Sequence, residues 1–270
     1  MSAAITGVRL ISRDAAALAS FYVDALGFRH EGEAMREDPF AAAPVRVVVL
    51  GIGPQRVEIA EVAGPPGPVA PGGPGVAFQH FAMVTHDMGG AMARLGASTG
   101  WRAISTDGPQ TLPARSGGVG AFKFRDPEGH PLEFLSFPAA RVPAVWAGDA
   151  GVGPIAGIDH TAVVVAETRR SADHYRALGF EVTGSSLNEG SEQARLDGVA
   201  APVVEVTALA LPGAGPPHLE LLCYRGAAPG DPVGDADVLA TRTLLLSSAA
   251  APGGQRDADG HRWIVSPPAG

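Results

Sequence analysis

The sequence predicts an α+β fold made of four similar units, each with the element order β-α-β-β-β. Three strand-sized segments each open a unit and are followed by a helix-like stretch: GVRLIS (7–12), HFAMVT (80–85) and HTAVVV (160–165). These three units close on an apolar strand with one acid inside it, which is Glu58, Glu133 or Glu220. Because the same pieces recur in the same order, we interpret the chain as a repeat.

Two motifs show which units are alike. SFYVDALGF (20–28) matches DHYRALGF (173–180), and FRDPEGH (124–130) matches QRDADGH (255–261). The first and third units therefore resemble each other, and so do the second and fourth. This pattern indicates a duplicated pair of units.

Two stretches rich in proline and glycine separate these units. Residues 63–76 and 138–157 cannot form a helix or a central strand, and Val145 and Trp146 in the second stretch are expected to dock on a neighbour. The resulting domain prediction is a first pair in 1–140 (units 1–63 and 76–140) and a second pair in 150–270 (units 154–226 and 235–270, the last truncated).

The individual elements follow from local signals. Asp14 can cap a helix that ends at Gly27. In the first unit we predict strands at 5–11, 29–34, 45–50 and 56–62. In the second we predict strand 79–84, helix 88–95 and strands 122–125 and 132–137 around a tight turn at 126–129. In the third we predict strand 158–165, helix 168–178 and strands 181–186, 203–209 and 218–224. In the fourth we predict strand 241–246, with little room for a helix.

Composition excludes several classes of protein. The net charge is −8 and no basic cluster is present, so nucleic acid and anionic membranes are poor partners. One cysteine rules out a disulfide framework within the chain. Without a signal peptide or an apolar run of the ~20 residues that span a bilayer, we expect a soluble, cytoplasmic protein.

The closing glutamates indicate a metal site. A carboxylate between aliphatic residues is costly to bury unless a proton, a cation or a metal meets it. His80 opens the unit that Glu133 closes, and His160 opens the unit that Glu220 closes. Two imidazoles and two carboxylates suit a divalent ion such as Zn, Ni, Co, Fe or Mn.

Other polar residues have simpler interpretations. Glu58 could be a ligand, or it could pair with Arg46 or Arg56. His130 and His261 follow β-turns, so turn geometry explains their repetition better than catalysis. We expect His218 to be peripheral.

Taken together, the four units, the helix end FYxxxLGF, the RDPEGH motif before a Leu-Glu strand and the histidine at the head of a unit resemble the vicinal oxygen chelate superfamily. That superfamily includes glyoxalase I, extradiol dioxygenases and bleomycin-resistance proteins. The resemblance implies cupped mixed sheets, with helices outside and one divalent metal on a concave face. It implies metal ligands at His80, Glu133, His160 and Glu220, whereas Gly7 in the first unit and Thr241 and Ile264 in the fourth offer no histidine or acid at the corresponding positions.

The pairing of the units decides whether these ligands meet. Pairing in chain order would separate His80 from His160. Pairing of the two central units would place both histidines and both glutamates in one cup. We favour the central pairing because it concentrates every intact ligand.

The resemblance implies a metal-dependent lyase or isomerase of glyoxalase type, acting on a small substrate with adjacent oxygens, with Glu133 or Glu220 as the catalytic base. One alternative is an Fe(II) extradiol dioxygenase with two histidines and one glutamate as ligands, and another is a metal-free protein that binds small molecules. Arg115 and Ser116, before the glycine-rich loop 117–120, are candidate substrate contacts. A small-molecule substrate and a homodimer are the expected partners.

Overall fold

The computed structural model describes residues 3–64, 78–148, 153–227, 233–248 and 250–267. In chain order the elements are β1 (Ala4–Ser12), α1 (Ala15–Leu26), β2 (Arg29–Arg36), β3 (Val45–Ile52), β4 (Gln55–Glu61), β5 (Phe78–Val84), α2 (Met88–Gly96), β6 (Arg102–Ala103), β7 (Gln110–Thr111), β8 (Gly120–Arg125), β9 (Pro131–Ser136), β10 (Gly157–Val164), α3 (Thr168–Ala177), β11 (Glu181–Glu189), α4 (Ser191–Asp197), β12 (Val203–Ala210), β13 (His218–Tyr224), β14 (Arg242–Leu246), β15 (Gly253–Arg256) and β16 (Arg262–Ser266). Short 3₁₀ turns cover Ala114–Ser116, Ala139–Arg141 and Ala144–Trp146.

The described strands form two mixed sheets, which confirms the predicted fold class. A seven-stranded sheet has the order β15-β16-β14-β1-β4-β3-β2. A nine-stranded sheet has the order β11-β12-β13-β10-β5-β9-β8-β6, and β7 also pairs with β8. In every unit the first and last strands are parallel neighbours, as in β1 with β4 and β10 with β13.

The sheets join units from opposite halves of the chain. β5 of the second unit pairs antiparallel with β10 of the third, and β1 of the first unit pairs antiparallel with β14 of the fourth. The central units therefore share the nine-stranded sheet, and the outer units share the seven-stranded one. This is the central pairing that the sequence favours.

The three longer helices pack on one face of the sheets. Asp14 caps α1 by accepting a hydrogen bond from the Ala17 backbone, and Gly27 ends the helix with a φ of 78°, which favours glycine. Leu18, Tyr22 and other residues of α1, α2 and α3 belong to one hydrophobic core with both sheets. Side chains of a strand alternate between the two faces of its sheet, so polar side chains can lie on the faces that point away from this core.

The repeated turn motifs connect units that do not share a sheet. The Tyr22 hydroxyl in α1 donates a 3.0 Å hydrogen bond to Asp126, which begins the turn between β8 and β9. His130 completes this turn, with one ring nitrogen 2.7 Å from Asp126 and the other 3.0 Å from the Ile11 carbonyl. Burial lowers the pKa of His130, but the Asp126 carboxylate outweighs it and the net pKa is raised.

The fourth unit repeats this arrangement. The Tyr175 hydroxyl donates to Asp257 at 2.5 Å, and His261 Nε2 lies 2.6 Å from the Val164 carbonyl. These contacts agree with a structural role in the turns for His130 and His261.

A few predictions differ from the structure. The short helix α4 was not predicted, because two of its three buried residues, Gln193 and Asp197, are polar and give no apolar period. Trp146 is buried as expected, but Val145 is 58% exposed. The described residues of the fourth unit contain no helix. Linker residues 65–76 and 149–152 lie outside the described part.

No helix in the described part of the chain is long and apolar enough to cross a membrane.

Candidate metal centre

Four adjacent strands of the nine-stranded sheet carry the predicted ligands. The strand order β13-β10-β5-β9 places Glu220, His160, His80 and Glu133 side by side. The register pairs Ala162 with both His80 and Glu220, so these side chains leave the sheet on the same face. The central pairing thus gathers residues that are far apart along the chain.

Three of these side chains converge closely. His80 Nε2 lies 2.7 Å from Glu133 Oε2 and 3.3 Å from His160 Nε2, and His160 Nε2 lies 3.9 Å from Glu133 Oε2. All three residues are buried. Their ligand atoms lie within 4.8 Å of one another. Two nitrogens bound to one zinc-like ion at about 2.0–2.1 Å would be separated by about 3.0–3.4 Å, so the histidine pair has suitable spacing.

The protein alone satisfies this cluster poorly. His80 Nδ1 is buried and has no hydrogen-bond partner among the described residues. Its Nε2 faces both a carboxylate and a second imidazole nitrogen, and a neutral ring can donate only one hydrogen. Two imidazoles and a carboxylate are a donor set that divalent metals accept. These residues therefore fit a divalent ion.

Glu220 lies at the border of this group. Its Oε2 is 3.7 Å from His160 Nε2, and its Oε1 is 3.5 Å from His218 Nε2. It is not among the three residues whose ligand atoms all lie within 4.8 Å of one another. The structure thus combines a tight set of three residues with a fourth carboxylate beside it.

Asp159 contacts the ring nitrogen of His160 that does not face His80 and Glu133. Its Oδ2 lies 3.0 Å from His160 Nδ1, and its Oδ1 accepts a 2.9 Å hydrogen bond from Trp146 Nε1. A carboxylate on the far nitrogen fixes the ring orientation of a metal-binding histidine. Asp159, His160 and His218 form a second group that could hold a metal, and it shares His160 with the first.

Electrostatics in the cluster favour charged carboxylates and a protonated His160. Burial raises the pKa of Glu133, but His80 and Lys123 outweigh it and lower the pKa to about 2. His160 and His218 likewise lower the pKa of Glu220 to about 2 against burial. Burial lowers the pKa of His160, yet Glu220 and Asp159 raise it to about 9.

His80 behaves differently, because burial and the positive charge of Lys123 lower its pKa. The pair therefore consists of a neutral His80 and a charged His160 near neutral pH.

The cluster lies in a cavity of about 280 Å³, which we call the His/Glu cavity. Its apolar walls are formed by Leu112, Val119, Leu135, Phe137, Leu196, Val204, Val206 and Leu222. Its polar part holds a buried network in which Asp197 pairs with Lys123 at 2.7 Å and accepts hydrogen bonds from Tyr224 and Gln193. The network links β8 and β13 to α4, so α4 is fixed over the cavity.

The two predicted substrate contacts lie in different places. Ser116 lines the cavity, and its hydroxyl donates a 2.8 Å hydrogen bond to Asn188. Arg115 is not among the lining residues and instead donates to the Glu189 carbonyl at 3.2 Å. The turn that carries both residues is therefore attached to the end of β11.

Several cavity residues were not predicted. His218 was expected to be peripheral, but it lines the cavity and contacts Glu220. Lys123 lies between Phe122 and Phe124, and this alternation was a usable signal for a polar side chain on the opposite face. Asp159 is next to His160 but belongs to no motif that would indicate a role in the site.

The seven-stranded sheet has different residues at most of the positions that correspond to the candidate ligands. Its register places Gly7 and Arg242 where the central units have His160 and His80, and places Glu58 and Ile264 where they have Glu220 and Glu133. The predicted first position at Thr241 was thus one residue too early. A Cβ atom at Gly7 would lie 1.9 Å from the Arg56 carbonyl oxygen, so a histidine cannot stand there.

Glu58 pairs with Arg9 at 2.7 Å, so the alternative in which it pairs with Arg46 or Arg56 was wrong. Arg46 pairs with Glu33 and Glu61 instead. The pair of Arg9 and Glu58 could not be predicted from the repeat. Arg9 lies two residues after Gly7, and the residue that matches Arg9 in the third unit is an alanine, Ala162. A guanidinium therefore neutralises the acid that a metal would otherwise meet.

Comparisons with known proteins agree with the fold. Residues 4–134 match the family model of the Glyoxalase/Bleomycin resistance protein/Dioxygenase superfamily. Glyoxalase I from Zea mays has a similar structure, with a TM-score of 0.63 and 15% identity, covering 98% of this chain and 92% of that one. A proposed dioxygenase from Bacillus subtilis subsp. subtilis str. 168 has a TM-score of 0.61 and 16% identity, covering 99% of this chain and 86% of that one.

The comparison with curated protein sequences finds no match. At such low identities the structural likeness shows the fold and not the reaction. Residues 4–134 therefore match the model of the Glyoxalase/Bleomycin resistance protein/Dioxygenase superfamily, and the chain as a whole has the fold seen in glyoxalase I.

Proposed function

We propose that the protein is a divalent-metal-dependent lyase or isomerase of glyoxalase type that acts on a small substrate with adjacent oxygens. The observation that carries the proposal is the convergence of His80, Glu133 and His160 in one cavity with Glu220 beside them. A bound metal would act there as a Lewis acid toward substrate oxygens.

We assign the proton-transfer role to Glu220. It is the acid that stands outside the tight set of three, so it can accept a proton without leaving a ligand position. His218, at 3.5 Å, lies within reach to orient its second oxygen. Glu133, at 2.7 Å from His80, is the ligand carboxylate in this proposal and is the less suitable base.

The volume and the charge of the His/Glu cavity limit the size and the charge of the proposed substrate. Its volume of about 280 Å³ lies just below the ~300–1,000 Å³ of pockets for drug-sized ligands. Besides histidines, Lys123 is the one cationic side chain among the described lining residues, and Asp197 already neutralises it. A large conjugate with two carboxylates, such as a glutathione adduct, fits this cavity poorly, so the proposed substrate is small and carries little charge.

Metal titration tests the proposal. We would strip the protein with a chelator and titrate it with Zn²⁺, Ni²⁺, Co²⁺, Mn²⁺ and Fe²⁺ by calorimetry. His160→Ala and Glu133→Gln should abolish stoichiometric binding, whereas the exposed control His86→Ala should retain it. Failure of the wild-type protein to hold any of these ions would leave a metal-free binding protein as the function.

The base is tested separately. Hydroxyacetone is a small probe with adjacent oxygens, and exchange of its carbon-bound hydrogen with deuterated water can be followed by NMR. Glu220→Gln should retain the metal but lose exchange by about 10²–10⁴-fold, the usual contribution of a general base. Equal exchange by wild type and variant would contradict this assignment.

A second candidate is an Fe(II) ring-cleaving dioxygenase. The specific observation in its favour is that the tight group has two histidines and one carboxylate, the donor set of non-haem Fe(II) oxygenases. Oxygen uptake with catechol by protein loaded anaerobically with Fe²⁺ would support this alternative.

We also retain a homodimer and a cytoplasmic location as predictions from the sequence. Sedimentation of the purified protein tests the first, and fractionation of the source cells tests the second.

A further inference from the structure

The seven-stranded sheet carries its own cavity, at the position that corresponds to the His/Glu cavity. Its volume is about 350 Å³, and we call it the arginine cavity. Three guanidinium groups line it, together with one acid: Arg9, Arg36, Arg56 and Glu58. The apolar residues that line it are Leu244, Leu245, Leu246 and Ile264.

Positive charge exceeds negative charge in this part of the sheet. Arg9 is buried between Glu58 and Asp38, at 2.7 Å and 3.2 Å. Arg242 shares Asp38 with it, at 3.1 Å. With Arg36 and Arg56, the cluster has four guanidinium groups and two carboxylates, and this excess of two positive charges stands in a chain of net charge −8.

Two of the guanidinium groups have hydrogen-bonding capacity left. Arg36 Nε is buried, has no hydrogen-bond partner among the described residues, and lies 3.6 Å from Glu58 Oε1. Arg56 forms no ion pair with any residue that the structure describes and is exposed. Both line the cavity beside Arg9, which already contacts Glu58 and Asp38, so an incoming anion would meet donors on Arg36 and Arg56.

We propose that the arginine cavity binds a small organic carboxylate with a short apolar tail. The planar guanidinium groups of Arg36 and Arg56 match a carboxylate, and the leucine and isoleucine wall accepts the tail. Because no histidine remains at the ligand positions of this sheet, binding requires no metal and is independent of the His/Glu cavity.

Calorimetry with hexanoate tests the proposal, with hexanamide as the neutral match of the same size. The experiment uses the chelator-treated full-length protein, so that a metal in the His/Glu cavity cannot hold the carboxylate. We expect saturable binding of hexanoate, at least tenfold weaker binding of hexanamide, and a loss of about fivefold or more in affinity in each of Arg36→Gln and Arg56→Gln.

Arg29→Gln is the matched control. Arg29 lies on the same strand as Arg36, is largely exposed, pairs with Glu31, and does not line the cavity. The Arg29→Gln variant should bind hexanoate with the affinity of the wild type. Equal affinity for hexanoate and hexanamide, unchanged binding in Arg56→Gln, or no saturation up to about 10 mM hexanoate would overturn the proposal. Thermal melting of each variant verifies that it is folded.

Discussion

The hydroxyl of Tyr22 donates a 3.0 Å hydrogen bond to the carboxylate of Asp126, across the boundary between the two sheets. Tyr175 and Asp257 repeat the contact at 2.5 Å in the second half of the chain. Both tyrosines are fully buried, and burial together with the adjacent carboxylate raises the pKa of each. The two repeated motifs, one at the end of a helix and one in a turn, thus contact each other in the folded chain.

Removing the Tyr22 hydroxyl should destabilise the protein. Tyr22→Phe leaves a buried carboxylate oxygen with one donor fewer, which typically costs about 1–3 kcal/mol of the free energy of unfolding. Urea denaturation measures this change. Ser20→Ala, which removes an exposed hydroxyl on the same helix, is the control and should change stability by less than about 0.5 kcal/mol. Equal stability of the two variants would show that the tyrosine contact contributes nothing.

Metal binding should release close to one proton at neutral pH. The pKa of His160 is raised to about 9, so this residue is protonated at pH 7 in the absence of metal and must lose its proton to become a ligand. Calorimetry in two buffers with different ionisation enthalpies measures the proton count. The apparent affinity should rise with pH up to about 9 and level off above it. An affinity that does not change between pH 7 and pH 9 would exclude His160 as a ligand.

The contributions of Glu133, Glu220 and His160 to the stability of the metal-free protein should all be present between about pH 4.5 and 6.5. Glu133 and Glu220 have folded pKa values of about 2, below their usual 4.5, so their contribution is present above pH 4.5 and is lost as the pH falls toward 2. The pKa of His160 is raised from 6.5 to about 9, so its contribution is present below pH 6.5 and is lost as the pH rises through 9.

Thermal melts of chelator-treated protein from pH 3 to pH 10 measure both limbs of this profile. Glu133→Gln should flatten the acid limb, whereas Glu33→Gln, which removes an exposed acid on β2, should leave it unchanged. A profile that stays level between pH 6.5 and 9 would contradict the alkaline prediction.

The buried pair of Lys123 and Asp197 should show strong coupling. Lys123→Met leaves Asp197 with Tyr224 and Gln193 but without its cation, and breaking a buried pair costs about 3–5 kcal/mol. The double variant Lys123→Met with Asp197→Asn should be more stable than the sum of the single changes predicts. Denaturant unfolding of the four proteins measures the coupling, and strict additivity would show that the pair does not act as a unit.

Much of the nine-stranded sheet, and the side chains that converge on it, could be predicted for a physical reason. Strands alternate with period two, so a histidine or glutamate within an apolar run must face away from the core, and the repeat aligned His80 with His160. The same reasoning could not find Asp197 or Gln193, because their helix buries polar side chains and has no apolar period. It also could not find Arg9, whose partners Glu58 and Asp38 lie on segments that only the folded chain brings together.

The crossed pairing of units sets the order in which the sheets can be completed during synthesis. Strand β1 is made long before its neighbour β14, because the paired residues Ala4 and Leu246 lie more than two hundred residues apart. The growing chain can therefore assemble the nine-stranded sheet while one edge of β1 still has open backbone donors and acceptors. A chain that stopped before β14 would keep that edge exposed, and such edges recruit strands from other molecules, so premature termination late in the message would yield an aggregation-prone product.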